Sequence, residues 1–485
     1  MKYLFSLFLA IILLLPSCVE ENISADEHLQ LTFSCDTLIM DTLFSEQQSA
    51  TGRFMIYNEN KNALNISSIR MAGGSSSHFR FNVDGRMADK GETLKDIVIK
   101  GRDSLFVFVE FTSPTTDNQP YLLLLDSLIF ECNNRNKNVK LMAVSHDARI
   151  LRNQIYTTNT TIDSLRPNLI FNHIYVAEGA KLTISEGAKL YMHAGANIIV
   201  DGTLECRGSF EHPVIIRGDR FDCINDVDQT PYEQMPGQWG AIYLQNPQSH
   251  NIIEHTHIRG SDLGILLVGA NRSEPILELR NSIVHNSATY GIYAQQGSLV
   301  IENSEISNCG ESCILQLGGS MRMAHTTIAN YYRYASRKNA SVRILNYVTQ
   351  NGVRLTFPVT SAVIENSIIF GGNSEELELG QDTTSVTDYN VLLSYTLIKG
   401  KQQENNNFVN CYWAKSRNVR NASDTVFVNT KIDNIAETGY FNFRLDSLSH
   451  ARNLASSPVA NLYPLDLDAN PRNTDGKPDL GAYER

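Results

Sequence analysis

One eight-residue pattern recurs six times between Ile253 and Gly400, and it constrains the fold more than any other feature of the chain. The copies start at Ile253, Leu279, Ile301, Met323, Ile364 and Leu393. The first position is apolar. The fourth is Ser or Thr (Thr256, Ser282, Ser304, Thr326, Ser367, Thr396) and the sixth is β-branched (Ile258, Val284, Ile306, Ile328, Ile369, Ile398). The eighth is always Gly or Asn, the residue types that best tolerate left-handed backbone, so each copy reads as a short strand ending in a tight corner at that position.

The starts are 26, 22, 22, 41 and 29 residues apart. That is too irregular for stacked helical pairs, but it suits coils of about 20 residues with loops inserted between strands. Coils of this kind stack with about 4.8 Å between equivalent strands, so equivalent side chains form ladders along the axis. The third position reads His255, Asn281, Asn303, His325, Asn366 and Tyr395. A polar column in register with the repeat is expected to satisfy backbone groups at the bends rather than to catalyse.

These residues resemble the right-handed parallel β-helix proteins of the pectate-lyase-like superfamily. The likeness extends upstream to residues 174–217, where Gly179, Gly187, Gly195, Gly202 and Gly208 punctuate short apolar runs, and to the stretch around Trp239. The residues DLDANPRNTDGKPDLGAYE resemble a closing motif of bacterial surface β-helix proteins. The resemblance covers roughly residues 150–485. It implies a fold that hosts lyases, hydrolases, adhesins and inert scaffolds alike, so chemistry must be argued from a site.

At the N-terminus, Lys2 precedes an apolar run from Leu4 to Leu15 that is too short for a permanent transmembrane helix and has the pattern of a signal peptide. Leu15-Pro16-Ser17-Cys18 resembles the lipobox of bacterial lipoproteins, which implies lipidation of Cys18. Glu20 and Glu21 resemble an export signal to the outer face of Gram-negative cells. The expected location is the outer membrane, lipid-anchored and facing the exterior, with two or three acyl chains giving a stable hold. Of eight cysteines, seven would remain, so complete pairing within one chain is excluded. Cys309 and Cys313 read as small buried residues or a local disulfide rather than as zinc ligands. The net charge of −11 disfavours nucleic acid as a partner.

Between Ser34 and Asp147 the strands alternate with period two: 54–57, 64–66, 97–99, 105–111, 122–130 and 139–144. This spacing predicts an antiparallel sandwich. Asn58, Leu64-Asn65-Ile66, Asp103-Ser104 and Pro114 match the pattern of a group of bacterial immunoglobulin-like domains, which they resemble. The expected chain is therefore all-β: a signal peptide over 1–17, a linker over 18–33, an immunoglobulin-like β-sandwich over 34–148, a right-handed parallel β-helix over 149–455 and the closing motif over 456–485. The sandwich reads as a spacer between membrane and β-helix.

The best functional clue is the 41-residue interval. It holds Tyr331, Tyr332, Arg333, Tyr334, Arg337, Lys338, Arg343, Tyr347, Arg354 and Phe357, and no acidic residue. Aromatic faces stack on sugars and arginine pairs bidentately with uronate or sulfate, so Tyr331, Tyr332, Arg333, Tyr334, Arg337 and Lys338 are candidate ligands of an acidic polysaccharide. The same interval equals two coils of about 20 residues, with Ile344 to Asn351 as a degenerate copy of the repeat, Asn346 in the ladder and Asn351 at the corner. On that reading several of the tyrosines are packing.

Two acidic stretches, Asp219, Asp222, Asp226, Asp228 and Asp466, Asp468, Asn470, invite comparison with calcium loops. Neither has glycine where an EF-hand needs it, so both read as solvated loops with calcium binding as the alternative, and no other cofactor is expected. Polygalacturonases, to which the fold is related, carry paired aspartates and a Gly-His-Gly segment that is not found here, and inverting hydrolysis needs two carboxyls flanking the bond. Two function classes follow: a non-catalytic surface lipoprotein binding acidic polysaccharide or acting in adhesion, or a polysaccharide lyase or glycoside hydrolase acting on uronic-acid polymers. No catalytic residue is assigned.

Overall fold

The computed structural model describes residues 22–116, 119–224, 230–269, 274–384, 386–414, 426–431, 440–473 and 476–485. Cys18 lies outside them. The chain divides after Asp147 into two units. No helix among the described residues is long and apolar enough to cross a membrane.

The first unit packs two five-stranded sheets around one core. Phe54, Ile56, Phe81, Val107 and Val109 come from one sheet, and Leu64, Ile66, Leu128, Phe130 and Leu141 from the other. Alternating exposure along Phe79–Val83 and Arg135–His146 follows from burying one face only. The sandwich is not wholly antiparallel, because Thr37–Phe44 runs parallel to Arg135–His146. Cys35 and Cys132 are free thiols. Asn58, 1% exposed, donates from Nδ2 to the carbonyls of Asn62, Ile99 and Lys100, fixing the corner after its strand.

The second unit is a parallel β-helix with three faces per coil. Face 1 is a ladder of ten strands from Thr160–Ile162 to Phe408–Val409. Face 2 runs through Lys189–Met192, Thr256–Arg259, Glu305–Cys309 and Leu397–Lys399. Face 3 starts with Asn197–Val200 and passes through Tyr290–Gln295 to Leu377–Gly380. The long strand Asn168–Val176 serves faces 2 and 3 together, turning at Asn172 with φ of 64°. The repeat is the end of face 1, a corner and all of face 2. Its first-position residues (Ile253, Leu279, Ile301, Met323, Ile364, Leu393) and its sixth-position residues are all 0% exposed, lining the helix interior.

The corner lies elsewhere than the sequence suggests. All six third-position residues, including His255, His325 and Tyr395, have φ between 43° and 49°. At the eighth position only Gly260, Asn286 and Asn308 are left-handed. Left-handed backbone costs a non-glycine residue about 1–2 kcal/mol, and ladder hydrogen bonds offset it. Asn303 Nδ2 donates to Asn281 Oδ1 at 2.7 Å, Asn281 Nδ2 lies 3.3 Å from His255 Nε2, and Asn366 Nδ2 lies 2.9 Å from His325 Nε2. The fourth-position hydroxyls complete the corner. Ser282 Oγ donates to Arg280 O at 2.6 Å and accepts from Thr256 N at 3.0 Å, a bridge between coils repeated where Thr326 N donates to Ser367 Oγ. The column of histidines and asparagines is structural.

The 41-residue interval is one coil, not two. Gly319–Ala324 pairs directly with Val359–Glu365, and Thr327–Asn330 with Ile368–Gly371. The extra length goes into residues 331–341 and an antiparallel hairpin, Tyr347–Gln350 with Val353–Thr356, turning through Asn351 and Gly352. Asn346 is fully buried but is not left-handed, so it does not continue the ladder.

The closing motif flanks the coils. Arg472 Nη2 donates to Asn303 Oδ1 (2.5 Å), Gly481 N to Asn366 O (2.8 Å) and Ala482 N to Thr327 Oγ1 (2.9 Å), while Tyr463 OH bonds Glu302 Oε1 (2.6 Å). Beside it the hairpin of Phe427–Asn429 and Asn442–Leu445 lays Phe427, Phe443 and Leu445 over Ala329, Ile368, Phe370 and Leu397. Glu305–Cys309, Thr327–Asn330 and Ile368–Gly371 therefore lose alternation and are buried on both sides.

Candidate functional site

The two insertions that stand out in the sequence leave the same connection, between face 2 and face 3. One follows Val214–Gly218 and the other follows Thr327–Asn330. The intervening coils turn tightly there, and the insertions meet above them at Gln234, whose carbonyl accepts from Asn286 Nδ2 (2.9 Å) and from Tyr334 OH (2.7 Å). Tyr232–Gln234 forms a short 3-10 turn at the meeting point.

A ridge of rings and cations results. Tyr332 and Tyr334 lie edge to face at 5.6 Å, with Arg333 over Tyr334 at 5.6 Å. Arg220 lies over Tyr232 at 3.3 Å and pairs with Asp222. Arg217 lies 5.2 Å from the ring of Phe221, which packs on Tyr191 at 5.3 Å. Arg217 and Arg259, one residue beyond the paired Ile216 and Ile258 of adjacent coils, both reach Glu233. Burial, reinforced by Arg259, holds His257 down to about 4 and His285 down to about 3, so both are neutral near pH 7.

The six candidate ligand residues separate into two groups. Tyr331 points inward, stacked on Phe443 at 6.0 Å and edge-on to Phe427 at 6.3 Å. Arg337 is 4% exposed. Its guanidinium bonds both oxygens of Glu376, which is fully buried, at 2.6 and 2.8 Å, and also reaches the carbonyls of Asn339 and Asn330. Glu376 further accepts from Ser341 N and Oγ and from Asn373 N. Tyr331 and Arg337 thus hold the insertion to the coil. Arg333, exposed, and Tyr332 and Tyr334, half-buried, lie on the ridge, while Lys338 is exposed four residues beyond Tyr334 in the same insertion. Arg217 and Arg259 were missed because their shared partner Glu233 stands 16 and 26 residues away in sequence, and Phe221 because its partners are Tyr191 and Arg217; the visible signal was a cation in the outward position before Gly218 and again before Gly260.

Among the described residues no group of three or more His, Cys, Asp or Glu could hold a metal ion. Asp219 lies 2.7 Å from His193 Nδ1. Asp466 turns its carboxylate onto the backbone N–H groups of Asp468, Asn470 and Glu484. Asp226 and Asp228 lie outside the described residues. Cys309 and Cys313 are both fully buried free thiols, and burial pushes Cys313 well up.

No family model matches the sequence, and no curated protein matches it. Among solved structures, the catalytic unit of an alpha-1,3-glucanase from Streptomyces thermodiastaticus aligns over 72% of this chain and 80% of its own, at 9% identity and a TM-score of 0.25. The N-terminal domain of PorA aligns over 24% of this chain and 97% of its own, at 11% identity and a TM-score of 0.17. A PapD-like domain of human CEP192 aligns over 24% and 85%, at 5% identity and a TM-score of 0.16. Likenesses this weak carry nothing about activity.

Proposed function

We propose that the protein is a surface lipoprotein whose β-helix binds an acidic polysaccharide without cleaving it. Cys18 carries the lipid that holds it to the outer membrane, and the N-terminal sandwich serves as a spacer. The observation that supports binding is the convergence of the two insertions at Gln234, which gathers Phe221, Tyr232, Tyr332 and Tyr334 with Arg217, Arg220, Arg259 and Arg333 on one ridge. Rings offer apolar faces to sugars, and guanidinium groups offer bidentate donors to carboxylate or sulfate. A rigid ladder beneath keeps that arrangement in place on binding, which lowers the ordering cost.

The test is titration of the chain lacking residues 1–21 with uronic-acid polymers and an array of neutral glycans. Binding of the acidic polymers that weakens with salt, and weakens further in the Arg333→Ala, Lys338→Ala double variant, is the expected result. Growth of ultraviolet absorbance from an unsaturated product would make the protein a lyase. Absence of binding to any acidic polymer would remove the reading.

A further inference from the structure

Glu233 places its carboxylate between guanidinium groups from two neighbouring coils. Arg217 Nη1 lies 3.0 Å from Glu233 Oε2, and Arg259 Nη1 pairs with Glu233 Oε1. The Arg217 guanidinium has anchors of its own, and the backbone at Arg259 is pinned. Arg217 Nη2 donates to Arg220 O at 2.7 Å and Nε to Gly218 O at 3.2 Å, while Arg259 stands on a face 2 strand whose carbonyl at that residue accepts from the buried Trp239 indole at 2.7 Å. The side chain of Arg217 is 11% exposed and that of Arg259 28%, against 34% for Glu233. The acid is thus the outermost member of the trio and the arginines form the wall behind it. Two guanidinium groups face the Glu233 carboxylate, the neighbouring His257 is neutral, and the further acid that interacts with Arg259 is the buried Glu305.

We infer that Arg217 and Arg259 are the receptor for a uronate carboxylate, and that Glu233 fills it in the free protein and is exchanged for the ligand's carboxylate on binding. This rests on the acidic-polysaccharide reading above and names its anchoring group. The exchange replaces one set of charge-assisted hydrogen bonds by an equivalent set. The pair given up is partly exposed, and such pairs contribute little to stability. The ring of Phe221 beside Arg217 supplies the adjoining sugar with an apolar platform.

Affinity is measured for polygalacturonate and for its carboxyl-reduced, neutral counterpart, using the chain lacking residues 1–21. Glu233→Gln is expected to bind polygalacturonate roughly twofold to tenfold more tightly than the parent, the range set by losing a competitor of that strength. The neutral polymer should show no gain. Arg217→Ala and Arg259→Ala should each weaken binding of the charged polymer and leave that of the neutral polymer unchanged. Glu233→Ala provides the same comparison should the glutamine variant fold poorly, with thermal unfolding monitored for all. Parent-like or weaker binding of polygalacturonate by both folded Glu233 variants, while the parent binds it, overturns the exchange and leaves the broader reading standing. Failure of parent and variants alike to bind overturns both.

Discussion

Face 2 has two halves built on the same ladder, and they differ in what lies outside. From Glu305 onward its outward positions include Ser307, Ala329, Ile368, Phe370 and Leu397, roofed by Phe427, Phe443 and the closing motif, with the two charged members, Glu305 and Lys399, bonded to Tyr483 OH and to Gly371 O. Before it they include Tyr191, Arg217, His257 and Arg259, flanked by the ridge, and the boundary falls at His285, whose ring lies 6.4 Å from Phe443. Interior positions are equally apolar in both halves. The backbone ladder therefore sets where side chains point, and the outward residues alone decide whether a stretch of the β-helix becomes core or working surface.

The contrast is broken most strongly in the roofed half. Phe443→Ala should cost the β-helix about 3–5 kcal/mol, as expected for truncating a buried aromatic. Arg337→Ala, which strands the buried Glu376 carboxylate, should cost a similar amount, about 3–5 kcal/mol. Denaturant unfolding measures both. An Arg337→Ala protein of unchanged stability and reduced glycan affinity would return Arg337 to the list of ligands.

A smaller effect is expected at the corner ladder common to both halves. Asn281→Ala should lose about 1–3 kcal/mol, combining left-handed strain with lost side-chain bonds, and Asn281→Gly less, because glycine accepts the backbone angle. Equal losses would show that the angle is not what the asparagine supplies.

The pH response separates the halves next. His257 and His285 take up protons more readily unfolded, near pH 6.5, than folded, so stability falls as pH drops from about 6.5 toward 4. Glu305, raised chiefly by burial, acts the other way: it lowers stability as pH rises above its ordinary 4.5. His285→Asn should shrink the acid loss, as read from melting temperature against pH. A slope identical to the parent's would mean that His285 is not a contributor.

Least is expected from the open half. Phe221→Ala should change stability by no more than about 0.5 kcal/mol, although the ring is as large as that of Phe443. A loss comparable to that of Phe443→Ala would show that the ridge is core.

The coil architecture was legible because positions one, four and six repeat in the sequence and each has one physical job: filling the interior, closing the corner, lining face 2. The corner itself was misplaced because Gly and Asn at position eight advertise left-handed backbone more loudly than the histidines and tyrosine at position three that actually adopt it. Length alone could not tell a coil with a hairpin from two coils, since the difference lies in which strands pair across 41 residues. The site was half visible. An acid-free stretch rich in arginine drew attention to residues 331–338, yet Glu376, which occupies Arg337, comes 39 residues later. Nor does sequence distance reveal that residues 219–239 and 331–341 leave the same bend.

The closing motif has a consequence for assembly. In stacked coils with only nearest-neighbour contacts, stability is the sum of each coil's own term and its interfaces with the next. Here a single segment contacts coils from Asn303 to Asn366, and it follows all of them in the chain. It works as a bolt across them: opening any one of those coils also breaks its bonds to the shared segment, which couples coils that otherwise touch only their neighbours.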